Sequence, residues 1–158
     1  MSTAELHIVY EPDEDGTGKM IATARAGAFA ATGAAWFGRD LDTFLEGLRS
    51  YPLSSDAPPM IEGGFFKSRS AGFFKTYNEC ELEQCHLRIT IKPYDLRGSL
   101  LVHVELASEV WKTPDADLQK SASIRFLTEY AMIDRFATEL GEVLKGRRDV
   151  AILSGTTN

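Results

Sequence analysis

Two long segments in which apolar and polar residues alternate, Glu81–Lys92 and Ser99–Val110, constrain the fold most strongly. Their alternating apolar residues are Cys85, Leu87, Ile89, Ile91, Leu100, Val102, Val104 and Leu106. Alternation with a period of two is typical of strands that bury one face. The segment between them contains Pro93 and Gly98, which favour a turn, so we expect the two strands to pair antiparallel.

Two other segments carry apolar residues at helical spacing. We expect a first helix at Asp40–Ser50, which Pro52 prevents from continuing, and a second at Thr128–Lys145, which Gly146 can end. Their apolar faces consist of Leu41, Phe44, Leu45, Leu48, Tyr51, Tyr130, Ile133, Ala137, Leu140 and Leu144. Residues at positions i, i+3, i+4 and i+7 share one face of a helix, so both helices are predicted to be amphipathic.

The N-terminal part of the chain predicts further strands around an acidic turn. Leu6–Tyr10 is an apolar-rich strand, and residues 11–18 form the acidic turn, which contains two glycines. In the alanine-rich stretch that follows, we expect strands at Met20–Phe29 and Ala34–Phe37, with a turn at Ala31–Gly33. Small side chains in this stretch would suit a strand that another element crosses closely.

The order of these elements predicts the fold class. Strands, a helix, several strands and a second helix indicate an α+β domain and not an alternating βαβ pattern. We therefore expect a curved, mostly antiparallel sheet, arranged as a meander and packed with two α-helices. Residues 1–150 would form this single domain, as suits a chain of 158 residues. Residues 151–158, which end in small polar side chains, would be a flexible C-terminal tail.

The charge of the chain excludes some partners and favours others. Its net charge is −6 at pH 7, so a general nucleic-acid binder is not expected, because phosphate neutralisation needs a basic surface. An acidic domain suits a basic protein partner instead. The sequence contains no apolar run of roughly 18 residues and no signal peptide, so we expect no membrane association and a cytoplasmic location.

No cofactor or metal motif has the residues it needs. Glu11, Asp13 and Asp15 are spaced like the first ligands of a calcium loop, but Ala22 stands where such a loop needs a bidentate glutamate. The two cysteines have opposite strand parity, so we interpret them as reduced thiols and not as a disulfide or a zinc site. We expect no cofactor and no metal.

The polar side chains of the two alternating strands form a candidate site. If the hairpin is symmetric about residues 95 and 96, His86 lies opposite Glu105, and Arg88 lies opposite His103, on one outward face. A histidine–carboxylate pair can orient an imidazole for acid–base chemistry, but the sequence places no nucleophile beside it. We interpret this polar sheet face as a solvated, ion-paired surface, with a binding surface or a catalytic site as the alternatives.

A doubled Gly-Phe-Phe-Lys motif, at residues 64–67 and 72–75, is the most unusual feature of the sequence. A hairpin that turns at Arg69–Ala71 would place the copies side by side, with one phenylalanine of each pair facing outward. The candidate contact residues of this aromatic hairpin are Phe65, Phe66, Lys67, Arg69, Phe73, Phe74 and Lys75. Aromatic side chains are frequent binding anchors, and the alternative is that a second layer or a dimer partner covers them.

An aromatic pair, an amphipathic helix and a glycine-turn hairpin follow one another along the chain. Trp36–Phe37 leads into the helix at 40–48, and His86–Asp95 and Gly98–Val104 come later. This order resembles small bacterial immunity proteins of the WapI-like type, over roughly residues 6–145. The resemblance implies a non-enzymatic α+β protein that binds and blocks a cognate toxin, and it carries over no catalytic residue.

Three functional hypotheses follow. The first is a non-enzymatic protein-binding domain, specifically an immunity protein that neutralises a basic toxin such as a nuclease. Its contacts would come from Glu11, Asp13 and Asp15 or from the aromatic hairpin. The second is a module that binds a small ligand or forms a homodimer through the aromatic hairpin. The third is a hydrolase-like enzyme that uses the histidines and Glu105 of the polar sheet face.

Overall fold

The computed structural model describes residues 2–66, 82–111 and 117–157. Eight strands and two helices lie within these ranges. In chain order they are β1 (Ser2–Pro12), β2 (Gly18–Ala26), β3 (Phe29–Phe37), α1 (Asp40–Leu48), β4 (Met60–Phe66), β5 (Leu82–Pro93), β6 (Ser99–Ala107), β7 (Ser121–Glu129), α2 (Tyr130–Leu144) and β8 (Ala151–Thr157).

All eight strands belong to one sheet, in the order β3-β2-β1-β8-β7-β6-β5-β4, and every pair of neighbours is antiparallel. Side chains from the strands and from both helices bury together in one core. The sheet curves far enough for β3, at one edge, to pack against β5, β6 and β7. The predicted fold class, a single α+β domain with a curved antiparallel sheet and two helices, is confirmed.

The order of elements occurs twice along the chain. The first half consists of β1, β2, β3, α1 and β4, and the second half of β5, β6, β7, α2 and β8. Each half is a three-stranded meander followed by a helix and one further strand. That last strand pairs with the first strand of the other half, β4 with β5 and β8 with β1. The two halves are thus joined by reciprocal strand pairing.

Glycines allow the last strand of each half to approach the third strand of the same half. A Cβ atom at Gly155 in β8 would collide with the Leu127 carbonyl oxygen in β7. A Cβ atom at Gly63 in β4 would lie 2.9 Å from Ala35 Cβ in β3. Only a residue without a side chain fits such close approaches. We call these two contacts, β8 with β7 at Gly155 and β4 with β3 at Gly63, the glycine seams, and both depend on glycine at these positions.

The alanine-rich stretch forms one hairpin, and its turn lies earlier than predicted. β2 and β3 are joined by Gly27 and Ala28, since Ala26 pairs with Phe29. Gly27 has φ of +61°, a left-handed conformation that two-residue hairpins use and that glycine adopts without strain. The predicted turn at Ala31–Gly33 is therefore wrong, because these residues lie inside β3.

The expected close crossing of this stretch is confirmed at the centre of β3. A Cβ atom at Gly33 would lie 3.0 Å from Leu106 Cδ2 and 3.3 Å from the carbonyl oxygen of His86. Small residues on β2 and β3 therefore let this hairpin pack closely over β5 and β6.

Both predicted helices are confirmed, and α2 ends as its sequence indicates. Gly146 has φ of +74° and donates its backbone N–H to Val143 O at 3.1 Å, while Arg147 N donates to Glu142 O at 2.9 Å. These two hydrogen bonds form a Schellman motif, which satisfies carbonyl groups at the end of the helix. Among the described residues, neither helix has the length and apolar character needed to cross a membrane.

The predicted flexible tail is wrong for residues 151–157. Residues 151–157 are β8, which lies in the middle of the sheet and pairs with β1 from Ala151↔Ile8 to Thr157↔Ser2. Ala151 and Leu153 are buried in the core. The small residues that suggested a tail are needed for packing, because Gly155 has no room for a side chain beside β7.

Candidate functional site

The acidic turn connects β1 to β2, as predicted, and it is held by hydrogen bonds of its own. The Asp13 backbone N–H donates to Thr17 O at 2.8 Å. The carboxylate of Asp15 accepts from Thr17 N at 3.0 Å and from Thr17 Oγ1 at 2.6 Å. These hydrogen bonds favour the charged carboxylate and hold the pKa of Asp15 below its usual value. The Asp15 carboxylate is therefore held in place as an anion.

Carboxylates from a second segment of the chain join this turn. Burial raises the pKa of the Tyr10 hydroxyl, and the negative charges of Asp13, Asp40, Asp15 and Asp42 raise it further. Asp40 and Asp42 belong to the first turn of α1, where the helix dipole favours negative charge. A Cβ atom at Gly38, just before α1, would lie 3.8 Å from Thr17 Cγ2, so the acidic turn and the start of α1 lie together. We call this surface the acidic end; its carboxylates are those of Glu11, Asp13, Asp15, Asp40 and Asp42.

A partly exposed tryptophan lies beside these carboxylates. Trp36 is 43% exposed, and its Nε1–H donates to Asp13 Oδ2 at 3.2 Å. Cross-strand pairing places Glu11, Lys19 and Trp36 in one row across β1, β2 and β3. The Lys19 ammonium lies 5.4 Å from the centroid of the Trp36 ring. The acidic end therefore combines negative charge with an accessible aromatic surface.

Sequence reasoning found only part of the acidic end. It selected Glu11, Asp13 and Asp15 but missed the tryptophan, the lysine and the two helix carboxylates. Asp40 and Asp42 stand at the start of a helix, where the helix dipole favours acidic residues whether or not they bind a partner. Trp36 joins the site through the register of β2 with β3, which depends on the turn at Gly27.

The polar sheet face has a register that differs from the predicted one by two residues. Arg88 pairs with Glu105, and Thr90 pairs with His103. The turn is centred later than expected, because the Asp95 carboxylate accepts hydrogen bonds from Arg97 N and Ser99 N. The predicted pairs of His86 with Glu105 and of Arg88 with His103 are therefore wrong.

His86 does not lie on the polar sheet face at all. It is the extra residue of a β-bulge, because Gly63 pairs with Leu87 and Gly64 with Cys85. The bulge turns the imidazole inward, where it is 2% exposed and meets the Phe65 ring edge-on at a centroid distance of 4.5 Å. Burial lowers the pKa of His86, so this histidine is held neutral.

A glutamine determines the tautomer of this buried histidine. The Gln84 side-chain amide donates to Val110 O at 3.0 Å and its Oε1 accepts from Val110 N at 2.9 Å, which sets the orientation of the amide. The same Oε1 also bonds His86 Nε2. Because a carbonyl oxygen only accepts, His86 Nε2 carries the proton. The imidazole therefore has a structural hydrogen bond and makes no pair with Glu105.

Arg88 and His103 each have partners on the outward face. Arg88 donates to Glu62 Oε2 at 2.9 Å and to Glu105 Oε2 at 3.1 Å. His103 Nε2 lies 2.7 Å from Ser123 Oγ, and burial together with the nearby Arg125 lowers the pKa of His103. These contacts combine an ion-paired network with one neutral histidine–serine pair.

A shallow groove of about 540 Å³ adjoins this face. Its lining includes Cys85, Arg88, Glu105, Ser121 and Ser123. Cys85 was expected among the inward residues of its strand, but the bulge at the next residue brings it into this groove. Burial raises the pKa of the Cys85 thiol, which disfavours the reactive thiolate.

The aromatic hairpin is described only in part. Phe65 and Phe66 are half-buried in β4. The Phe65 ring packs at a tilt against Trp111, with 4.4 Å between the ring centroids, and Trp111 is 76% exposed. Sequence reasoning missed Trp111. The other predicted contact residues, Lys67, Arg69, Phe73, Phe74 and Lys75, lie outside the described residues. Ligand binding or dimer formation through this segment stays a prediction.

Within residues 2–66, 82–111 and 117–157, no group of three or more histidine, cysteine, aspartate or glutamate side chains is arranged to hold a metal ion. The chain was compared with models of protein families, with curated proteins and with solved structures. None of them matches. The resemblance to WapI-like immunity proteins therefore stays a prediction.

Proposed function

We propose that this protein is a non-enzymatic binding domain that takes up a basic protein at its acidic end. The observation that carries the proposal is that the start of α1 lies beside the acidic turn, so carboxylates from two separate segments meet next to the partly exposed Trp36. Complementary charge speeds the encounter of two proteins and sets their orientation. A tryptophan at such a surface can supply the apolar contact that carries much of the binding energy.

The overall charge supports the same class of partner. The net charge of −6 attracts a basic protein from a distance, and salt screens this attraction. In the acidic turn the Asp15 carboxylate is stabilised as an anion by its hydrogen bonds, so it does not depend on a partner to stay ionised. Binding would therefore weaken with rising salt and persist across neutral pH.

We further propose that the partner is a toxin, most specifically a nuclease, and that the domain acts as an immunity protein in the cytoplasm. A nuclease needs a basic surface to hold phosphates, and an acidic surface can occupy it in place of nucleic acid. The motif order from Trp36 to Val104 supports an immunity protein through its resemblance to the WapI-like type. The free thiol of Cys85 suits a reducing compartment.

A capture experiment with matched variants tests the binding proposal. The wild type and two variants are immobilised and exposed to native extract, and bound proteins are identified by mass spectrometry. The acidic-end variant carries Asp13→Asn, Asp15→Asn, Asp40→Asn and Asp42→Asn. The control variant loses the same charge elsewhere, through Asp56→Asn, Glu129→Gln, Asp134→Asn and Glu142→Gln.

We expect one basic protein to be retained by the wild type and the control, lost by the acidic-end variant, and released by about 0.5 M salt. For the nuclease proposal, the retained protein must also cleave nucleic acid and be inhibited by the wild-type domain. Equal retention on all three proteins, or retention on none, would contradict binding at the acidic end.

One observation favours a hydrolase as the second candidate. Ser123 Oγ lies 2.7 Å from His103 Nε2, beside the groove on the polar sheet face, and a neutral histidine at that distance can accept the serine proton. A fluorophosphonate probe tests this candidate. Labelling of Ser123 that is lost in His103→Gln and kept in Ser121→Ala would support it, and an unlabelled Ser123 would remove it.

A further inference from the structure

The acidic end already holds one cation, which comes from the protein itself. The Lys19 ammonium lies 5.4 Å from the centroid of the Trp36 ring, within the distance at which a cation is attracted to an aromatic face. The hydrogen bond from Trp36 Nε1 to Asp13 Oδ2 fixes the edge of the same ring. The ring is thus oriented by a carboxylate, and its face is occupied by an ammonium group.

The ammonium is held by the ring and not by an ion pair. Lys19 lies opposite Trp36 on β3 and opposite Glu11 on β1. Within the described ranges, none of the ion pairs involves Lys19. An exposed cation–π contact is weak, so this ammonium can be replaced at small cost.

We infer that Lys19 is an internal placeholder on Trp36, and that a lysine or arginine of the basic partner replaces it when the partner binds. This inference rests on the proposed function, because it names the kind of side chain that the acidic end takes up. An arginine would gain most, since its planar guanidinium stacks on an aromatic face and donates to a carboxylate at the same time. Asp13 provides that carboxylate at the edge of the ring.

The replacement would also make the site selective. Lys19 competes with every incoming cation for the Trp36 ring, so a single free cation gains little binding free energy by displacing it. Only a ligand that brings several cations at once can contact the remaining carboxylates of the acidic end and also displace the ammonium. The placeholder would therefore favour basic segments of proteins over free cations.

A hexa-arginine peptide is the probe for this inference. Its dissociation constant is measured by NMR from the shifts of the Gly16 and Gly18 backbone N–H signals, which every variant keeps, with the Trp111 indole signal as the internal reference. In the wild type the shift of the Trp36 indole N–H signal is followed as well. Lys19→Met removes the placeholder. Lys145→Met is the matched control, because it removes the same charge from a lysine that contacts no aromatic ring in the described structure.

We expect Lys19→Met to tighten peptide binding about two- to fivefold, the range that an exposed cation–π contact spans. Lys145→Met should change it by less than about twofold, as expected for one distant, screened charge. In a Trp36→Leu background the gain from Lys19→Met should disappear, because there is no ring to free. Trp36→Phe keeps a ring and should keep part of the gain, which covers the case in which Trp36→Leu fails to fold.

Several results would overturn the inference. Equal gains from both lysine substitutions would indicate a plain charge effect, and a gain that persists without the ring would exclude Trp36 as its cause. Absence of any shift of the Trp36 signal at millimolar peptide would exclude the site. The proposed function can fail separately: a peptide result as expected, with no basic protein captured at the acidic end, would leave a cation site without the proposed partner.

Discussion

The β2–β3 hairpin of the first half and the β5–β6 hairpin of the second half fill the core differently. Buried apolar side chains of β2 and β3 are mostly alanine, at positions 22, 24, 26 and 35. Those of β5 and β6 are all leucine, isoleucine or valine, at positions 87, 89, 91, 100, 102, 104 and 106. We call β2–β3, with its small buried side chains, the thin hairpin, and β5–β6, with its large ones, the thick hairpin.

The difference shows that two hairpins of one sheet can contribute very different side-chain volumes to the same core. Of the two, the thick hairpin buries the larger apolar volume, and burial of apolar groups is what stabilises a core. The thin hairpin lets the sheet curve until Gly33 in β3 approaches Leu106 in β6. If both hairpins carried large side chains, the edge of the sheet could not pack over its other half. The following predictions test this division, beginning with the largest effect.

Removing side-chain volume from the thick hairpin should lower the free energy of unfolding most. Ile89 is fully buried in β5, and Ile89→Ala should lower the free energy of unfolding by about 2–5 kcal/mol, because the neighbours cannot fill the cavity. Urea unfolding followed by circular dichroism measures this loss. Ile21→Ala, on the half-buried outer side of β2, should cost less. A loss for Ile89→Ala no larger than that for Ile21→Ala would contradict the division.

Adding volume to the thin hairpin should be the next largest effect. Ala22 is fully buried in β2, and Ala22→Leu should lower the free energy of unfolding by about 1–3 kcal/mol through overpacking. The control is Ala30→Leu, at an exposed position of β3, which should change stability little. Calorimetry compares the two. If Ala22→Leu stabilises the protein, the thin hairpin has unfilled space and its thinness is not needed for close packing.

Alanine substitutions at the two glycine seams should lower the free energy of unfolding by different amounts. Gly155→Ala places a methyl group against the Leu127 carbonyl oxygen, which is part of the backbone, and should lower the free energy of unfolding by about 1–3 kcal/mol. Gly63→Ala would place its methyl group 2.9 Å from Ala35 Cβ, a milder overlap than the one at Gly155, and should cost less. Urea midpoints of the two variants measure the difference. A larger cost at Gly63 would show that the seam of the first half is the tighter one.

Acid should lower the free energy of unfolding through the two histidines of the thick hairpin, and this effect should be the smallest. Burial lowers the pKa of His86 and of His103 below the ordinary value of 6.5, so both are neutral in the folded state at neutral pH. The unfolded chain then binds more protons, and stability falls as the pH drops below about 6.5 towards the folded pKa values. Above that pH the contribution is fully present.

Urea unfolding at about pH 7.5 and pH 5.5 measures this dependence. His86→Gln should lower stability at both values, because the hydrogen bond to Gln84 changes, but it should reduce the loss between them. A variant with the wild-type pH dependence would show that His86 does not titrate in this window.

Local patterns in the sequence were sufficient to predict several elements. The alternation in β5 and β6, the apolar faces of α1 and α2, and the glycine at position 146 each depend on near neighbours in the chain. The acidic turn at 11–18 could be predicted for the same reason, since its glycines and its aspartates act within a few residues. Together these elements were enough to predict an α+β domain.

Other features were decided only by contacts between distant residues. The extra residue in β5 that turns His86 inward, the insertion of β8 beside β1, and the meeting of Asp40 with Asp13 around Tyr10 all depend on pairing between separate segments. A single strand does not reveal its register or its bulges, because these are set by the partner strand and by the space that the core leaves. The sequence by itself determined the elements and their order, and the tertiary structure decided which side chains meet, because only packing fixes register over long distances in the chain.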